Sequence, residues 1–240
     1  MASSGASARR QQQSPLSDDG DVERHKRAAA RAAAEMVKDG MRVGLGTGST
    51  VAHLLGALSE RELREVICVA TSPATQRAAR ALGLMVRKLD QVGELDMAID
   101  GADQIDPSGW LVKGGGGAHT REKIVAAAAR RFVVIASAEK AVAELAPPVP
   151  LELMRFGVQS TLKMLAHARL RDGEESPDGG LIADYFGPVG EPRELSVRLS
   201  ATPGVVEHGL FAPEMVSVIL IAGENGVERR AGAKQERQRG

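Results

Sequence analysis

The chain has 240 residues, 43% of them hydrophobic and only 2% aromatic, which allows one large core of small aliphatic side chains. Lysine plus arginine and aspartate plus glutamate each number 31, so the formal net charge is zero and the composition does not suggest a nucleic-acid-binding surface. No apolar run approaches the ~18 residues of a membrane span, and the single cysteine, Cys68, excludes an internal disulfide. We therefore expect an α/β protein of a reducing compartment, without nucleic-acid or membrane partners.

The N-terminal part of the chain is predicted to contain a helix, a short strand and a polar loop that opens a second helix. Residues 1–20 lack apolar periodicity and predict a disordered tail, and an alanine-rich helix follows from Asp21 to about Lys38. A short buried strand, Arg42–Leu45, then runs into the loop Gly46–Thr50 and an apolar helix. A strand, a Gly/Ser/Thr loop and a helix form an arrangement that holds phosphate on backbone N–H and hydroxyl groups. A tight turn with a Ser/Thr helix cap is the alternative interpretation.

Strands and helices alternate up to about residue 147. Further strands are predicted at Val66–Ala70, near Met85, at Leu95–Asp100 and at Arg131–Ser137. This alternation predicts a Rossmann-like, open, mostly parallel sheet with helices on both faces. Polar residues follow the strand ends, where such sheets bind their ligands.

A proline cluster then marks a change of architecture. We predict a main domain over residues 21–147 and a small α+β subdomain over residues 148–203, in which residues 171–180 form a polar loop. Return strands over residues 204–228 complete the main domain, and residues 229–240 are predicted to be a disordered tail. The apolar strands among these return strands are candidates for a subunit interface.

The stretch from residue 100 to residue 123 carries the strongest chemical signal. Its informative residues are three aspartates, a lysine, four consecutive glycines and a first-turn glutamate: Asp100, Asp103, Asp106, Lys113, Gly114–Gly117 and Glu122. Four consecutive glycines suit a backbone that closely approaches a ligand, and the helix that follows, with Thr120 as its expected cap, favours negative charge at its N-terminus. A turn, a flexible connector and a charge that complements the helix dipole are the structural alternatives.

Several motifs together resemble the A-type ribose-5-phosphate isomerases. They are GLGTGST at 44–50, DGADQID at 100–106, KGGGGAHTREKIVA at 113–126, VVIASAEK at 133–140 and PGVVEHGLF at 203–211. The resemblance implies an aldose–ketose isomerase of the non-oxidative pentose phosphate pathway, which interconverts D-ribose 5-phosphate and D-ribulose 5-phosphate through an enediolate. It also implies that no metal or other cofactor is needed. A homo-oligomer, dimer or tetramer, in the cytoplasm is expected, with the chloroplast as the alternative compartment.

The resemblance also assigns roles to individual residues. Glu122 corresponds to the catalytic base, Asp100 and Asp103 to the groups that handle hydroxyl and carbonyl protons, and Lys113 to the cation beside the enediolate. The residues that correspond to substrate contacts are Lys26, Thr47, Gly48, Ser49, Thr50, Asp100, Gly101, Ala102, Asp103, Lys113, Gly114, Gly115, Gly116 and Lys140. These residue types suit the chemistry, because a carboxylate can move a carbon-bound proton while a lysine and N–H donors stabilise charge on oxygen.

The chain departs from the family pattern at a few positions, and two other kinds of function are alternatives on the same fold. Gln104 replaces an acidic residue, His119 replaces an apolar one, and residues 176–180 of the subdomain differ. A sugar-phosphate-binding regulatory module would need the phosphate loop but neither Lys113 nor Glu122. A CoA transferase or an amino-sugar-phosphate deaminase on the same fold would not explain the paired aspartates.

Overall fold

The structure is a computed structural model that describes residues 18–234. The helices are α1 (Asp18–Ala34), α2 (Ser49–Ser59), α3 (Pro73–Ala81), α4 (Leu89–Val92), α5 (His119–Ala128), α6 (Val158–Leu165) and α7 (Pro192–Ser200). The strands are β1 (Arg42–Leu45), β2 (Ile67–Ala70), β3 (Met85–Val86), β4 (Leu95–Gly101), β5 (Gln104–Ile105), β6 (Leu111–Val112), β7 (Ala129–Ser137), β8 (Val149–Leu153), β9 (Ala168–Glu175), β10 (Leu181–Tyr185), β11 (Val205–His208), β12 (Leu210–Phe211), β13 (Val218–Gly223) and β14 (Gly226–Ala231).

The main sheet has seven strands in the order β14-β13-β7-β4-β1-β2-β3, and every pairing in it is parallel except that of β13 with β14. Alternate residues of β7 face opposite layers: Val133 and Ile135 pack in the cluster that contains α1 and α2, whereas Val134 and Ala136 pack with α5. Strands that are buried on both faces read as continuous apolar runs. The predicted mostly parallel sheet with helices on both faces is therefore confirmed.

The chain reverses its direction across the main sheet between β1 and β4. From β1 it continues outward to β2 and β3, whereas β7 and β13 extend from the other side of β4. The loops that follow β1 and β4 therefore leave the same edge of the sheet side by side and open a crevice between them. These are the loops that carry Gly46–Thr50 and Asp100–Asp103.

Two smaller sheets complete the structure. An antiparallel sheet in the order β11-β8-β10-β9 packs with α6 and α7 around residues such as Leu151, Tyr185 and Leu195. A sheet of three short strands, β12-β6-β5, leads directly to Lys113. No helix in residues 18–234 combines the length and the apolar character that a membrane crossing requires.

Regular structure extends beyond its predicted limits at both ends of the described chain. α1 begins at Asp18 rather than at Asp21, so the last three residues of the predicted N-terminal tail are helical. Acidic residues are favoured at this end of a helix by the helix dipole. At the other end, residues 229–231 pair with β13 as part of β14. Residues 232–234 follow β14 without regular structure, and residues 1–17 and 235–240 of the two predicted tails lie outside the described residues.

The small sheet also differs from the sequence prediction. β9 is a strand where residues 171–175 were expected to belong to a loop, because its mainly exposed side chains give no apolar alternation. β11 pairs with β8 and is therefore part of the small sheet rather than a return strand of the main one. β13 is held between β7 and β14 and its side chains are largely buried, so it is not available as a subunit interface.

Candidate active site

The loop after β1 forms one wall of the crevice. Gly46 must be glycine, because a Cβ atom there would lie 1.7 Å from Asp100 Oδ1. Gly48 precedes α2 with φ of 119°, a conformation that favours glycine, and no side chain caps the helix. The first N–H groups of α2, from Ser49 onward, are therefore available to an anion, with the positive end of the helix dipole behind them.

Three charged side chains are buried together beside this loop. Lys113 Nζ donates to Asp100 Oδ2 (2.8 Å) and to the Gly101 carbonyl (2.6 Å), and it lies 3.0 Å from Glu122 Oε2. The second oxygen of Asp100 accepts from the N–H groups of Thr47 (3.1 Å) and Gly101 (2.7 Å). The side chains of Lys113, Asp100 and Glu122 are each less than 5% exposed. Such burial is tolerated because each charge has an opposite partner.

Burial and mutual charge shift the pKa values of all three groups. Burial raises the pKa of Glu122 to about 7, with repulsion from Asp100 adding to the rise and Lys113 opposing it. Burial also raises the pKa of Asp100, against the attraction of Lys113. For Lys113, burial alone would lower the pKa, but the two carboxylates outweigh it and the pKa is raised. Lys113 therefore stays charged, while Glu122 changes its charge near neutral pH.

The glycine run forms a turn that faces Asp103. Gly117 N–H donates to the Gly114 carbonyl (3.0 Å), and Gly115 N–H donates to Asp103 Oδ2 (2.9 Å). Asp103 is exposed in the crevice, in contrast to the buried Asp100. One carboxylate thus orients the glycine backbone while the other holds Lys113.

The residues next to Glu122 fix the first turn of α5 to the small sheet. The helix follows Ala118, and Thr120 lies within it and donates to Glu152 Oε2 (2.5 Å) instead of capping it. Arg121 makes two bonds to the carboxylate of Asp178, at 2.6 and 2.7 Å. Lys123 Nζ donates to Glu207 Oε1 and to the carbonyl oxygen of His208, both at 2.7 Å. These contacts hold the Glu122 carboxyl against the crevice.

One cavity collects nearly all the residues predicted for the site. The walls are formed by Lys26, Thr47, Gly48, Ser49, Thr50, Gly101, Ala102, Asp103, Lys113, Gly114, Gly115, Gly116, Glu122 and Lys140. Of the predicted site residues, only Asp100 is not part of these walls, because it lies beneath them. Lys26 reaches the cavity from α1, and Lys140 from a 3₁₀ turn after β7.

The sequence analysis missed several residues around the cavity. Glu23 is one turn before Lys26 and bonds both its ammonium group (2.7 Å) and His53 Nε2 (2.8 Å). Arg171 reaches the Gly115 carbonyl (2.9 Å) from the small sheet. Its strand was predicted as a loop, so the sequence could not place it. A pattern of i and i+3 opposite charges could have indicated the Glu23–Lys26 pair.

His119 is fully buried behind the glycine run. Its Nε2 lies 3.4 Å from the Glu207 carbonyl oxygen, and a Cβ atom at Gly114 would come within 2.7 Å of its Nδ1. Burial and, to a smaller extent, the charge of Lys123 lower the pKa of His119 to about 4, so it is neutral at physiological pH. Its position behind the glycines suits a packing role. Among residues 18–234, no group of three or more His, Cys, Asp and Glu side chains is arranged to hold a metal ion.

The cavity combines the groups that proton transfer next to a carbonyl requires. Glu122 titrates near neutral pH, which suits a base that must take up and return a proton. Lys113 supplies a fixed positive charge, and N–H groups line both the glycine run and the start of α2. Glu122, Lys113 and the glycine run form the part of the cavity next to Asp100 and Asp103. The other part is formed by the start of α2, by Lys26, which Glu23 links to α2, and by Lys140, whose 3₁₀ turn packs against α1.

Known proteins provide an independent comparison. The family model described as ribose 5-phosphate isomerase A (phosphoriboisomerase A) matches residues 67–226. A ribose-5-phosphate isomerase A of Dinoroseobacter shibae is 43% identical over 229 residues, which cover 87% of this chain and 88% of the relative.

Solved structures agree with the sequence relatives. The ribose 5-phosphate isomerase A of Methanocaldococcus jannaschii superposes with a TM-score of 0.82 at 34% identity, covering 87% of this chain and 99% of that one. A D-ribose-5-phosphate isomerase in complex with phospho-erythronic acid superposes with a TM-score of 0.83 at 32% identity, covering 88% and 99%. The chain belongs to the ribose 5-phosphate isomerase A family.

Proposed function

We propose that the cavity binds the sugar phosphate with its phosphate at the start of α2 and its reacting carbons beside Glu122. As a member of its family, the chain interconverts D-ribose 5-phosphate and D-ribulose 5-phosphate. The observation that carries the assignment of roles is the buried pair of Glu122 and Lys113, 3.0 Å apart in the cavity wall.

Glu122 is the proposed base. Its carboxylate takes the proton from C2 of the open-chain aldose, and the electron pair moves toward the C1 carbonyl to give an enediolate. The same carboxyl then returns the proton to C1, and the carbonyl forms at C2. The pKa of about 7 allows both steps, since neither form of the carboxyl is strongly preferred at neutral pH.

The developing oxyanion is stabilised by the groups around the base. Lys113 remains charged beside it, and the glycine backbone contributes N–H donors. Asp103, exposed on the cavity wall, is the proposed group that moves protons between the sugar oxygens. Asp100 lies beneath the wall with both of its oxygens bonded, so its proposed role is to hold Lys113 in place rather than to move protons of the sugar. Gly101 and Ala102, which connect the two aspartates, form the proposed floor under the sugar.

The other end of the cavity suits the phosphate. Its proposed ligands are the side chains of Ser49 and Thr50, the ammonium groups of Lys26 and Lys140, and the free N–H groups at the start of α2. Thr47 and Gly48 bring the loop to this position. Because the phosphate does not react, its binding serves to orient the reacting carbons.

Replacing the proposed base tests this assignment. Glu122→Gln keeps the shape of the side chain but cannot accept the carbon-bound proton, so we expect kcat for ribose 5-phosphate to fall about 10²–10⁴-fold. Affinity for the sugar phosphate should change little. Glu194→Gln is the matched control, because Glu194 is an exposed first-turn glutamate of α7. A Glu122→Gln enzyme with wild-type kcat would remove Glu122 as the base.

We also propose that the chain forms a homo-oligomer through its small sheet. Large apolar side chains on this part are exposed, including Phe156 at 90%, Val197 at 65% and Met154 at 54%. Such side chains are commonly covered in oligomers. Light scattering at micromolar concentration should give a multiple of 25.3 kDa, and Phe156→Ser should shift it toward the monomer. A wild-type mass of one chain would contradict this proposal.

The proposed compartment is the cytoplasm, with the chloroplast as the alternative. Cys68 is a buried free thiol, and burial raises its pKa to about 11, which makes it unreactive and suits a reducing environment. Fractionation of the source cells with antibody detection separates the two compartments. Recovery in the plastid fraction alone would overturn the cytoplasmic assignment.

A further inference from the structure

Arg171 connects the small sheet to the glycine run of the active site. It lies on β9, and its Nη1 donates to the carbonyl oxygens of Gly115 (2.9 Å) and, at longer range, Gly114 (3.4 Å). Its side chain is only 16% exposed. A charged donor thus holds the backbone of the loop that faces the reacting end of the cavity.

Asp184 fixes the orientation of this arginine. Arg171 Nε and Nη2 each donate to one carboxylate oxygen of Asp184 at 2.7 Å, which is the two-pronged geometry that suits a guanidinium group. Glu174 adds a contact of 3.2 Å to Nη1. Asp184 is on β10, next to β9, so two paired strands present the guanidinium at a defined angle.

Because peptide bonds are planar, the contacts of Arg171 with the glycine carbonyls also set the direction of the neighbouring N–H groups. In a trans peptide, the C=O of one residue and the N–H of the next point in opposite directions. When Arg171 holds the Gly114 carbonyl, the Gly115 N–H points the other way, and there it meets Asp103 Oδ2 at 2.9 Å. The Gly115 carbonyl, also held by Arg171, directs the Gly116 N–H in the same sense, and both glycines line the cavity.

We propose that Arg171, oriented by Asp184, is a positioning residue that fixes the N–H donors of the glycine run for the oxyanion of the reaction. It does not line the cavity and acts through the backbone that it holds. The inference rests on the proposed placement of the reacting carbons beside Glu122.

Kinetics of Arg171→Met separate this role from a general structural one. Loss of a charge-assisted hydrogen bond that orients the donors should lower kcat about 10- to 100-fold and leave KM nearly unchanged, because the phosphate end of the cavity is not contacted by Arg171. Arg171→Lys should not restore kcat, since an ammonium group cannot bind Asp184 and two carbonyls in the same fork. Asp184→Asn should lower kcat to the same extent. In the double variant, the rise in activation free energy should be smaller than the sum of the rises in the two single variants.

Two inhibitors report on the two ends of the cavity. Phospho-erythronic acid has a carboxylate that imitates the charge of the enediolate, whereas inorganic phosphate can occupy only the phosphate end. We expect Arg171→Met to weaken inhibition by phospho-erythronic acid by the same factor as kcat and to leave inhibition by inorganic phosphate unchanged. Equal weakening of both inhibitors would show general loosening of the site and would overturn the proposal.

Arg155 provides the matched control. It also extends from the small subdomain, donates to a glycine carbonyl (Gly179, 2.8 Å) and pairs with a carboxylate, Glu175, but it does not contact the glycine run. Arg155→Met should keep wild-type kcat. If Arg171→Met does not fold, the same measurements on Asp184→Asn decide the question. Full kcat in a folded Arg171→Met or Asp184→Asn enzyme, with Glu122→Gln inactive, would refute this role and leave the proposed function intact.

Discussion

The two ends of the cavity are built on different physical principles. The reacting end contains charged side chains that are almost fully buried, with Lys113 between Asp100 and Glu122. The end proposed for the phosphate contains exposed or partly buried groups, among them Ser49 and Lys26, and the free N–H groups of a helix. Buried charges interact strongly and shift each other's pKa values, whereas exposed ones are screened by water.

This difference separates catalysis from binding. The pKa of Glu122 departs from that of an ordinary glutamate because the surrounding protein excludes water and holds Asp100 nearby. At the end proposed for the phosphate, we expect the helix dipole and the two lysines to be sufficient, since the phosphate only has to be held. Substitutions at the reacting end should therefore change kcat and stability, and those at the phosphate end should change KM.

The largest effect is expected for Lys113→Met. The change leaves two buried carboxyl groups without their counter-ion, which should cost about 3–5 kcal/mol of stability and lower kcat by several orders of magnitude. Urea unfolding and steady-state kinetics measure the two effects.

Lys123→Met is the matched comparison for this variant. Both lysines are largely buried and lie over the ring of Phe211, at 5.3 Å for Lys113 and 4.9 Å for Lys123. Lys123 pairs with Glu207 and does not line the cavity. We expect Lys123→Met to lose stability with a much smaller loss of kcat. Equal kcat losses in the two variants would mean that the buried cation at the reacting end has no special role.

The next largest effect concerns the pH dependence of activity. The base must be ionised, so kcat/KM should fall about tenfold per pH unit below the pKa of Glu122, near pH 7. Because the substrate phosphate also titrates near pH 6, the acid limb should be followed in kcat at saturating substrate as well. A profile that remains flat down to pH 5 would contradict the buried, raised pKa of this carboxyl.

The same shift predicts a change in stability with pH. The pKa of Glu122 is about 7 in the folded chain and near 4.5 when unfolded, so folding favours its protonated form. This contribution is complete below pH 4.5 and is lost as the pH rises through 7. The free energy of unfolding of the wild type, relative to Glu122→Gln, should therefore decrease from pH 4.5 to pH 7. A relative increase over that range would contradict a raised pKa of Glu122 in the folded chain.

A smaller effect is expected from the cations at the phosphate end. Lys26→Ala and Lys140→Ala each remove a charged donor, which should raise KM about 10- to 100-fold with kcat little changed. Arg27→Ala is the control, because Arg27 is the exposed neighbour of Lys26 on α1. Unchanged KM in both lysine variants would remove these residues from the phosphate site.

No effect is expected from removal of metal ions. We expect Lys113 and the backbone N–H groups that line the cavity to provide the positive field that a metal would otherwise supply. Activity should be the same before and after dialysis against EDTA, measured by ketose formation. Loss of activity that Mg²⁺ restores would show that the aspartates hold a cation.

The sequence predicted what depends on local pattern. Continuous apolar strands such as Arg131–Ser137 predict a parallel sheet. A polar loop after a strand, such as Gly46–Thr50, predicts a ligand site at the end of that strand. Lys26 lies far from both in the chain, and only the family resemblance associated it with them. The structure brings it to the cavity because α1 packs against α2 and the sheet.

The sequence could not predict features that depend on burial in the folded chain or on polar strands at the edge of a sheet. Asp100 and Asp103 are alike in sequence, yet one is buried under Lys113 and the other is exposed. The strand of Arg171 has polar, exposed residues and reads as a loop. Its contact with Gly115 spans 56 residues of sequence, so no local pattern could reveal it.

Exchange of the carbon-bound proton tests the central claim, that the buried Glu122 carboxyl moves it, most directly. Ribose 5-phosphate is incubated in D₂O with the wild type or with Glu122→Gln, and NMR follows deuterium at C2 of the aldose and C1 of the ketose. The wild type should introduce deuterium at these carbons, and Glu122→Gln should introduce none while still binding the sugar phosphate. Deuterium entering at the wild-type rate in Glu122→Gln would show that another group moves the proton.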